Sequence, residues 1–506
     1  MRPVRRARAG VLVAVVVAAV LTPVAARAST SAPTAAPTST ASSTLSWKGC
    51  GSGFQCATLA VPLDSDASEP APSRSAAAEP TVDLAVIRSR ARDPARRIGS
   101  LVFNPGGPGV PAVEFLRGVA STLPDAVRDR FDLVAFDPRG VGESDPIQCL
   151  DSLDPVFDQS FEPTTDAERS ALVDEMTLLG QQCAARNGDL LAHVSTLDAA
   201  RDLEQLRVAL GEPRLSFLGY SYGTFLGATY AQHYPDRVRA FVLDGPVDPS
   251  MSARAVTLGQ ARGFEHALDD FLADCSDHPG CAFHHDGDAA AAYDALRARA
   301  ARAPLATSDA DGRTLNQTRF DAAVLQQLYL GRAAWPGLAD ALAAAQRGDA
   351  STLLAGADAF VGRTDDGGDD HALEAFWAVT CLDGPVVTGV DAAAELERQA
   401  VEIAPRMGAF IVNNSLPCSV WPVPPVAPAG RLTAPGAPPI LVIGTTLDPA
   451  TPLAQARSLA GSLERGRLLV AQGEQHTSFN NGNECVDAIV TKYLVDRKVP
   501  RAGTRC

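Results

Sequence analysis

The ten residues Leu215-Ser216-Phe217-Leu218-Gly219-Tyr220-Ser221-Tyr222-Gly223-Thr224 constrain this chain most. A short apolar run enters a Gly-x-Ser-x-Gly pentapeptide, and Phe225 to Tyr234 then reads as a helix. A strand that turns this sharply into a helix needs glycine on both sides, because neighbouring backbone approaches where a Cβ would clash. Such a turn lifts its serine above the carboxyl edge of a sheet. It also aims the next backbone N–H, that of Tyr222, at any negative charge developing there. The bland alternative is a glycine-rich surface turn.

The sequence around this turn predicts a mostly parallel sheet. Val82–Ile87, Ser100–Asn104, Phe131–Phe136, Val238–Leu243, Ile440–Ile443 and Arg467–Val470 all read as strands. Two of them run into glycine-rich loops, Asn104-Pro105-Gly106-Gly107-Pro108-Gly109 and Asp137-Pro138-Arg139-Gly140-Val141-Gly142. In sheets of this kind ligands sit at the carboxyl ends of the strands. Neither loop contains GxGxxG or GxxxxGK[ST], so a nucleotide-binding reading is weak. Ser195–Leu210 carries leucines at helical spacing and leads into the strand below Ser221.

A serine hydroxyl needs a base to become a nucleophile. His476 is the best placed of the eight histidines, after a late strand and before a C-terminal helix at Glu484–Val495. His233, His284 and His285 fit structural roles better, and His371 is the remaining rival. Asp448, at the end of the Ile440–Ile443 strand, is the expected acid; Asp244 and Asp248 are rivals. The chain order Ser, Asp, His suits a serine held on this kind of turn. A second oxyanion donor is expected from the 105–109 loop. Gly107 is the first choice and Gly106 the next, since Pro105 and Pro108 have no N–H.

The chain has 506 residues, too many for one ordinary core. Residues 1–28 read as a secretory signal peptide: arginines, then the apolar run Val11–Val20, then Ala26-Arg27-Ala28. Residues 29–48 read as a disordered leader rich in Ala, Ser, Thr and Pro, and Asp64–Pro80 as a surface loop. Residues 49–249 would form the first part of the core, 250–435 an alanine-rich helical cap or lid, and 436–506 the rest of the core. The formal charge is −15 and would fall to about −20 with the signal removed. That balance disfavours nucleic acid and stable association with anionic membranes. Ten cysteines fit export, and their spacing suggests Cys50–Cys56, Cys149–Cys183, Cys275–Cys281, Cys381–Cys418 and Cys485–Cys506. No CxxC or His-rich spacing points to a metal, and the chemistry needs no cofactor.

Asn104–Gly109, Phe136–Ser144 and Gly219–Thr224, taken together, resemble the secreted tripeptidyl aminopeptidases of actinobacteria. These are α/β-hydrolases related to proline iminopeptidases. Leu441–Pro452 and Gly473–Phe479 are similar to their characteristic C-terminal segment. The resemblance spans about 95–500. It implies an α/β-hydrolase fold with helices on both faces of the sheet and a large helical lid, and a Ser221–Asp448–His476 triad. It also implies an exopeptidase that cleaves short peptides from free N-termini. Two features depart from the pattern: Val110-Pro111-Ala112-Val113 follows the Pro-Gly turn, and Asn104 stands where the proline iminopeptidases have histidine. The family places acidic residues on the lid side at the substrate's amine, and Glu374 and Asp383 are the possible counterparts here. A secreted carboxylesterase or lipase of the same fold would carry the same triad.

Overall fold

The computed structural model describes residues 45–64, 80–364, 367–384, 386–426 and 430–506. The expected signal peptide, most of the leader and most of the 64–80 loop lie outside these residues. Among the described residues nine strands form one sheet. They are β1 Lys48–Gly49, β2 Gln55–Pro62, β3 Thr81–Ser89, β4 Gly99–Asn104, β5 Phe131–Phe136, β6 Leu215–Tyr220, β7 Val238–Asp244, β8 Ile440–Thr445 and β9 Gly466–Ala471. Their spatial order is β1-β2-β3-β5-β4-β6-β7-β8-β9. The first three form an antiparallel flap, and β3 joins β5 antiparallel. From β5 to β9 every pairing is parallel.

Strands β4, β5, β6 and β8 are buried along their whole length, so their sequences are mostly apolar, with Ser100, Asn104, Asp132, Ser216 and Thr445 as buried polar exceptions. Alternate side chains still go to opposite faces. Val102, Phe217, Phe241 and Val442 enter one core. Leu101, Leu218, Val242 and Leu441 enter the other, beneath the helices Ala112–Val119 and Glu484–Asp496. On the first face, the helices Thr196–Ala209, Tyr222–His233 and Leu453–Ser462 cover the sheet.

Between β7 and β8 the described chain is helical, from Ala253–Asp277 through Gly408–Asn413. Its apolar residues, among them Phe264, Leu268, Phe320, Trp377 and Phe410, belong to the same buried cluster as the first sheet face. The lid therefore shares a core with the sheet. Helix Asp166–Asn187, which precedes β6, joins the same helical layer. Arg169 on it makes a two-pronged pair with Glu397 of the lid. All five disulfides expected from cysteine spacing are present. Cys149–Cys183 ties helix Asp166–Asn187 to the loop after β5, and Cys381–Cys418 ties two lid segments together. Beyond β9, Val470 N–H donates to Thr504 and Cys506 N–H donates to Val470, so the 504–506 segment lies along that edge. Among the described residues no helix is long and apolar enough to cross a membrane.

Candidate active site

Ser221 sits between β6 and helix Tyr222–His233 with φ +53° and ψ −125°. A non-glycine residue held there costs on the order of 1–3 kcal/mol and persists only when its surroundings enforce it. Three hydrogen bonds do so: Ser221 N–H donates to the Asp244 carbonyl (2.9 Å), and the Ser221 carbonyl accepts from Thr224 N–H (2.9 Å) and Thr224 Oγ1 (2.6 Å). The two flanking glycines are needed sterically. A Cβ on Gly219 would lie 2.3 Å from the Gly223 carbonyl oxygen, and one on Gly223 would lie 2.7 Å from the Asn104 side-chain oxygen.

The glycine-rich loop after β4 lies directly beside this turn. A Cβ on Gly106 would come within 2.8 Å of Ser221 Cβ and 3.0 Å of Tyr222 N. Gly106, Gly107 and Gly109 all have φ between +97° and +100°, which only glycine adopts readily. The Gly106 N–H is already donated to Asn104 Oδ1 at 3.0 Å. Gly107 has no backbone hydrogen bond among the described residues, so it rather than Gly106 keeps a free donor. Asp137, in the second glycine-rich motif, braces the loop from behind. Its Oδ1 accepts the N–H of Val113, in the first turn of the helix that follows, and its Oδ2 accepts Glu143 N–H. Burial pushes the Asp137 carboxyl up to about 6. Buried Arg139 makes a bidentate pair with Asp202 and donates to three carbonyls, which anchors the rest of that motif.

His476 lies at the carboxyl end of the sheet, and the structure brings Asp448 to it. Nδ1 is 2.9 Å from Asp448 Oδ2 and 3.0 Å from Oδ1. An ionised carboxylate can only accept, so Nδ1 carries the proton and neutral imidazole presents Nε2 as an acceptor. That Nε2 is buried and has no hydrogen-bond partner among the described residues. The Cε1 edge of the ring faces Gly245, where a Cβ would stand 3.0 Å away. Gly245 directly follows the residue that takes the Ser221 N–H, so imidazole and serine share one corner of the sheet. Burial works against the charged imidazole, but the charge and hydrogen bond of Asp448 outweigh it, and the His476 pKa is raised.

Asp448 is itself fully ordered by its neighbours. Oδ1 accepts Ala450 N–H and Thr451 N–H, and Oδ2 accepts the Thr451 hydroxyl. This is an aspartate capping the turn that follows it. Thr451 also approaches His476 Nδ1 at 3.4 Å. Asp, Pro and a hydroxyl residue three positions on form a turn signal that could have pointed to Thr451. The rival acids serve elsewhere. Asp244 Oδ2 accepts the N–H groups of Ser478 and Phe479 and so fixes the loop that carries His476; burial pushes this carboxyl up to about 6. Asp248 Oδ1 holds Ser250. His371 pairs with Glu374, and His284 and His285 bond Cys275 and Gln346. His233 ends the helix after Ser221.

The lid reaches the site at three places. His476 N–H donates to the Tyr329 carbonyl (2.9 Å), and the Tyr329 ring meets the imidazole edge-on at 5.5 Å. Helix Ala372–Asp383 begins against the glycine loop, where a Cβ on Gly109 would fall 2.1 Å from the Ala372 oxygen. The same helix ends at Asp383, whose Oδ2 accepts Thr196 N–H (2.5 Å) and the Thr196 hydroxyl. Thr196 Oγ1 is in turn 2.8 Å from the Tyr222 hydroxyl. Since threonine donates its proton to Asp383, the tyrosine is the donor to threonine. Burial pushes the Asp383 carboxyl up to about 7. No local sequence pattern announces either Tyr329 or this Tyr222–Thr196–Asp383 chain.

Glu374, expected beside a substrate amine, is 1% exposed and fully engaged. Oε1 accepts the N–H groups of Cys149 and Leu150, and Oε2 lies 2.6 Å from His371 Nδ1. Both oxygens of this carboxylate are thus engaged within the protein, by two backbone N–H groups and by His371.

A family model described as the alpha/beta hydrolase fold matches residues 99–482. Serine protease Hip1 of Mycobacterium tuberculosis is 39% identical over 90% of this chain and 87% of its own length. Carboxylesterase B of the same species is 34% identical over 89% and 86%. Tripeptidyl aminopeptidase of Streptomyces lividans is 28% identical over 91% and 86%.

Proposed function

The chain belongs to the alpha/beta hydrolase family, and from that membership we propose a serine peptidase that releases short peptides, chiefly tripeptides, from free N-termini. One observation carries the reading: a buried carboxylate grips Nδ1 of His476 and leaves Nε2 unpartnered at the corner that holds Ser221. The relatives named as a serine protease and a tripeptidyl aminopeptidase support peptide bonds as the target. The five disulfides and the signal-like start support a secreted enzyme.

In this reading Ser221 Oγ attacks the scissile carbonyl while His476 Nε2 takes its proton. Asp448 stabilises the resulting imidazolium. The carbonyl oxygen becomes an oxyanion and is met by the backbone N–H groups of Tyr222 and Gly107. Collapse breaks the C–N bond, and the departing amine takes the proton from Nε2. Water then loses a proton to His476 and attacks the acyl carbon; the ester C–O bond to Ser221 breaks, and His476 returns the proton to Ser221 Oγ. Asp383 is the acidic residue we assign to the substrate's ammonium group. Only its Oδ2 is used by Thr196, and a cation there would offset the cost of ionising a buried carboxyl.

The test is a panel of free and N-acetylated tripeptidyl anilides beside short acyl esters. Free tripeptides should have the highest kcat/KM, acetylation should lower it, and Ser221→Ala should abolish turnover and organophosphonate labelling. The relative named carboxylesterase B motivates the second reading. Faster turnover of esters with no effect of acetylation would establish it in place of the first.

A further inference from the structure

The opposite end of the sheet carries a second feature unrelated to Ser221. Strand β6 runs from Leu215 to Tyr220, so Arg214 before it and Ser221 after it lie about 20 Å apart. At that amino end a cavity of about 630 Å³ opens to the surface. Arg214, Arg237, Arg239 and Arg497 line it, with Glu212 and Asp236 as the acidic members. They come from the starts of β6 and β7 and from the residue that ends helix Glu484–Asp496.

The charges in this cavity do not cancel. Glu212 Oε1 is consumed by Arg97 (2.7 Å), Ser100 N–H and Ser100 Oγ (each 2.9 Å). Asp236 makes no ion pair among the described residues, and neither do the four arginines. Arg239 is half-buried, and every hydrogen bond it makes goes to a neutral acceptor. These are Ser216 Oγ (3.2 Å), Leu494 carbonyl (2.8 Å) and Val495 carbonyl (3.3 Å). The two carbonyls belong to the C-terminal turn of helix Glu484–Asp496, whose dipole supplies about half a negative charge. That is a partial counter-charge for one of four cations. Burial, then the neighbouring charges of Arg497 and Arg130, lower the Arg239 pKa despite the opposing influence of Tyr493 and Glu212. A desolvated cation among like charges is normally paired. Arg239 also lies over the Phe131 ring at 5.4 Å, so what the four arginines lack is a carboxylate partner, in a protein whose formal charge is −15 and beside only two acids, Asp236 and the already engaged Glu212.

We infer that this cavity is a binding site for phosphate groups, distinct from the site at Ser221. Guanidinium forks match tetrahedral phosphate oxygens in pairs, which ammonium groups do not. The volume falls within the range of pockets that hold a small-molecule ligand, so it suits phosphate carried on a larger molecule or linked in a chain. An occupant would supply the counter-charge that Arg239 lacks.

The experiment is isothermal titration of the full chain at about 150 mM salt, which screens diffuse surface attraction. Orthophosphate, tripolyphosphate and citrate are the three probes. Saturable binding of orthophosphate identifies a site for the free ion; binding of tripolyphosphate alone identifies one for linked phosphates. Both outcomes uphold the inference. Arg239→Gln should weaken Kd by about tenfold or more, as expected for a lost charged hydrogen bond. It also releases two helix-end carbonyls, so the double variant Arg214→Gln with Arg237→Gln, at exposed positions, tests the site independently of that helix. Peptidase activity should not change in the double variant. Absence of binding by both phosphates, citrate binding as tight as tripolyphosphate, or unaltered affinity in both variants overturns the inference.

Discussion

At the scale of single residues, the proposed mechanism makes the pair Asp448–His476 set how activity depends on pH. Imidazole must be neutral to accept the serine proton. Its pKa is raised, chiefly by the Asp448 charge working against burial, so the cation persists to higher pH than in a free histidine. Activity should therefore fall as pH drops through a midpoint above the ordinary imidazole value of about 6.5. Asp448→Asn removes that charge and leaves a side chain that can present its NH2 to Nδ1, favouring the wrong tautomer. We expect kcat to drop by about 10⁴ and the acid limb of kcat/KM to move to lower pH. A pH–rate profile of both proteins tests this. An unmoved limb in the variant would mean that another group controls the profile.

At the scale of elements, the lid helix Ala372–Asp383 and the glycine loop are locked by contact. Gly109 has φ +99° and no room for a Cβ against Ala372 and Phe376. Gly109→Ala must therefore displace either the helix or the loop that carries Gly107. A displacement of about 1 Å in a positioning element can cost on the order of 10²-fold in rate. We expect kcat/KM to fall by about that factor while the far-UV spectrum stays native; wild-type kinetics would show that the contact is slack. These contacts also explain what the sequence revealed and what it hid. Strands β4, β6 and β8 were legible because each holds a short, mostly apolar run that gives way to a glycine-rich or polar turn. Ser221 and Asp448 stand out as candidates because each follows such a strand, and His476 because it comes shortly after β9. Helix Asp166–Asn187 was not assigned, although Leu172, Met176, Leu179 and Cys183 recur at helical spacing, because charged and small residues interrupt them. Glu374 looked available for substrate because its partners, Cys149 and Leu150, lie more than 220 residues away in sequence. Thr196 meets Asp383 across a separation of 187. Such contacts depend on tertiary packing, which local pattern does not encode.

At the scale of the whole molecule, several buried carboxyls titrate in one direction. Burial holds Asp137, Asp244 and Asp369 up at about 6 and Asp383 at about 7. Their unfolded pKa is about 3.9. Between these values the folded chain binds more protons than the unfolded one, so stability falls as pH rises. The raised pKa of His476 acts in the same sense. Tm should therefore be higher near pH 5 than near pH 7.5, and calorimetry at the two values decides it; a higher Tm at pH 7.5 would mean that these carboxyls are ionised and satisfied in the folded state. Both margins of the sheet are covered in part as well. One ends in the two-residue β1, and along the other the 504–506 segment occupies the hydrogen-bonding positions of Val470. A bare strand margin invites a second molecule to add its own strand, the first step of ordered aggregation. Each cover shortens the run of free strand on offer at its margin, so cutting the chain before Thr504 should raise self-association of concentrated preparations by that route.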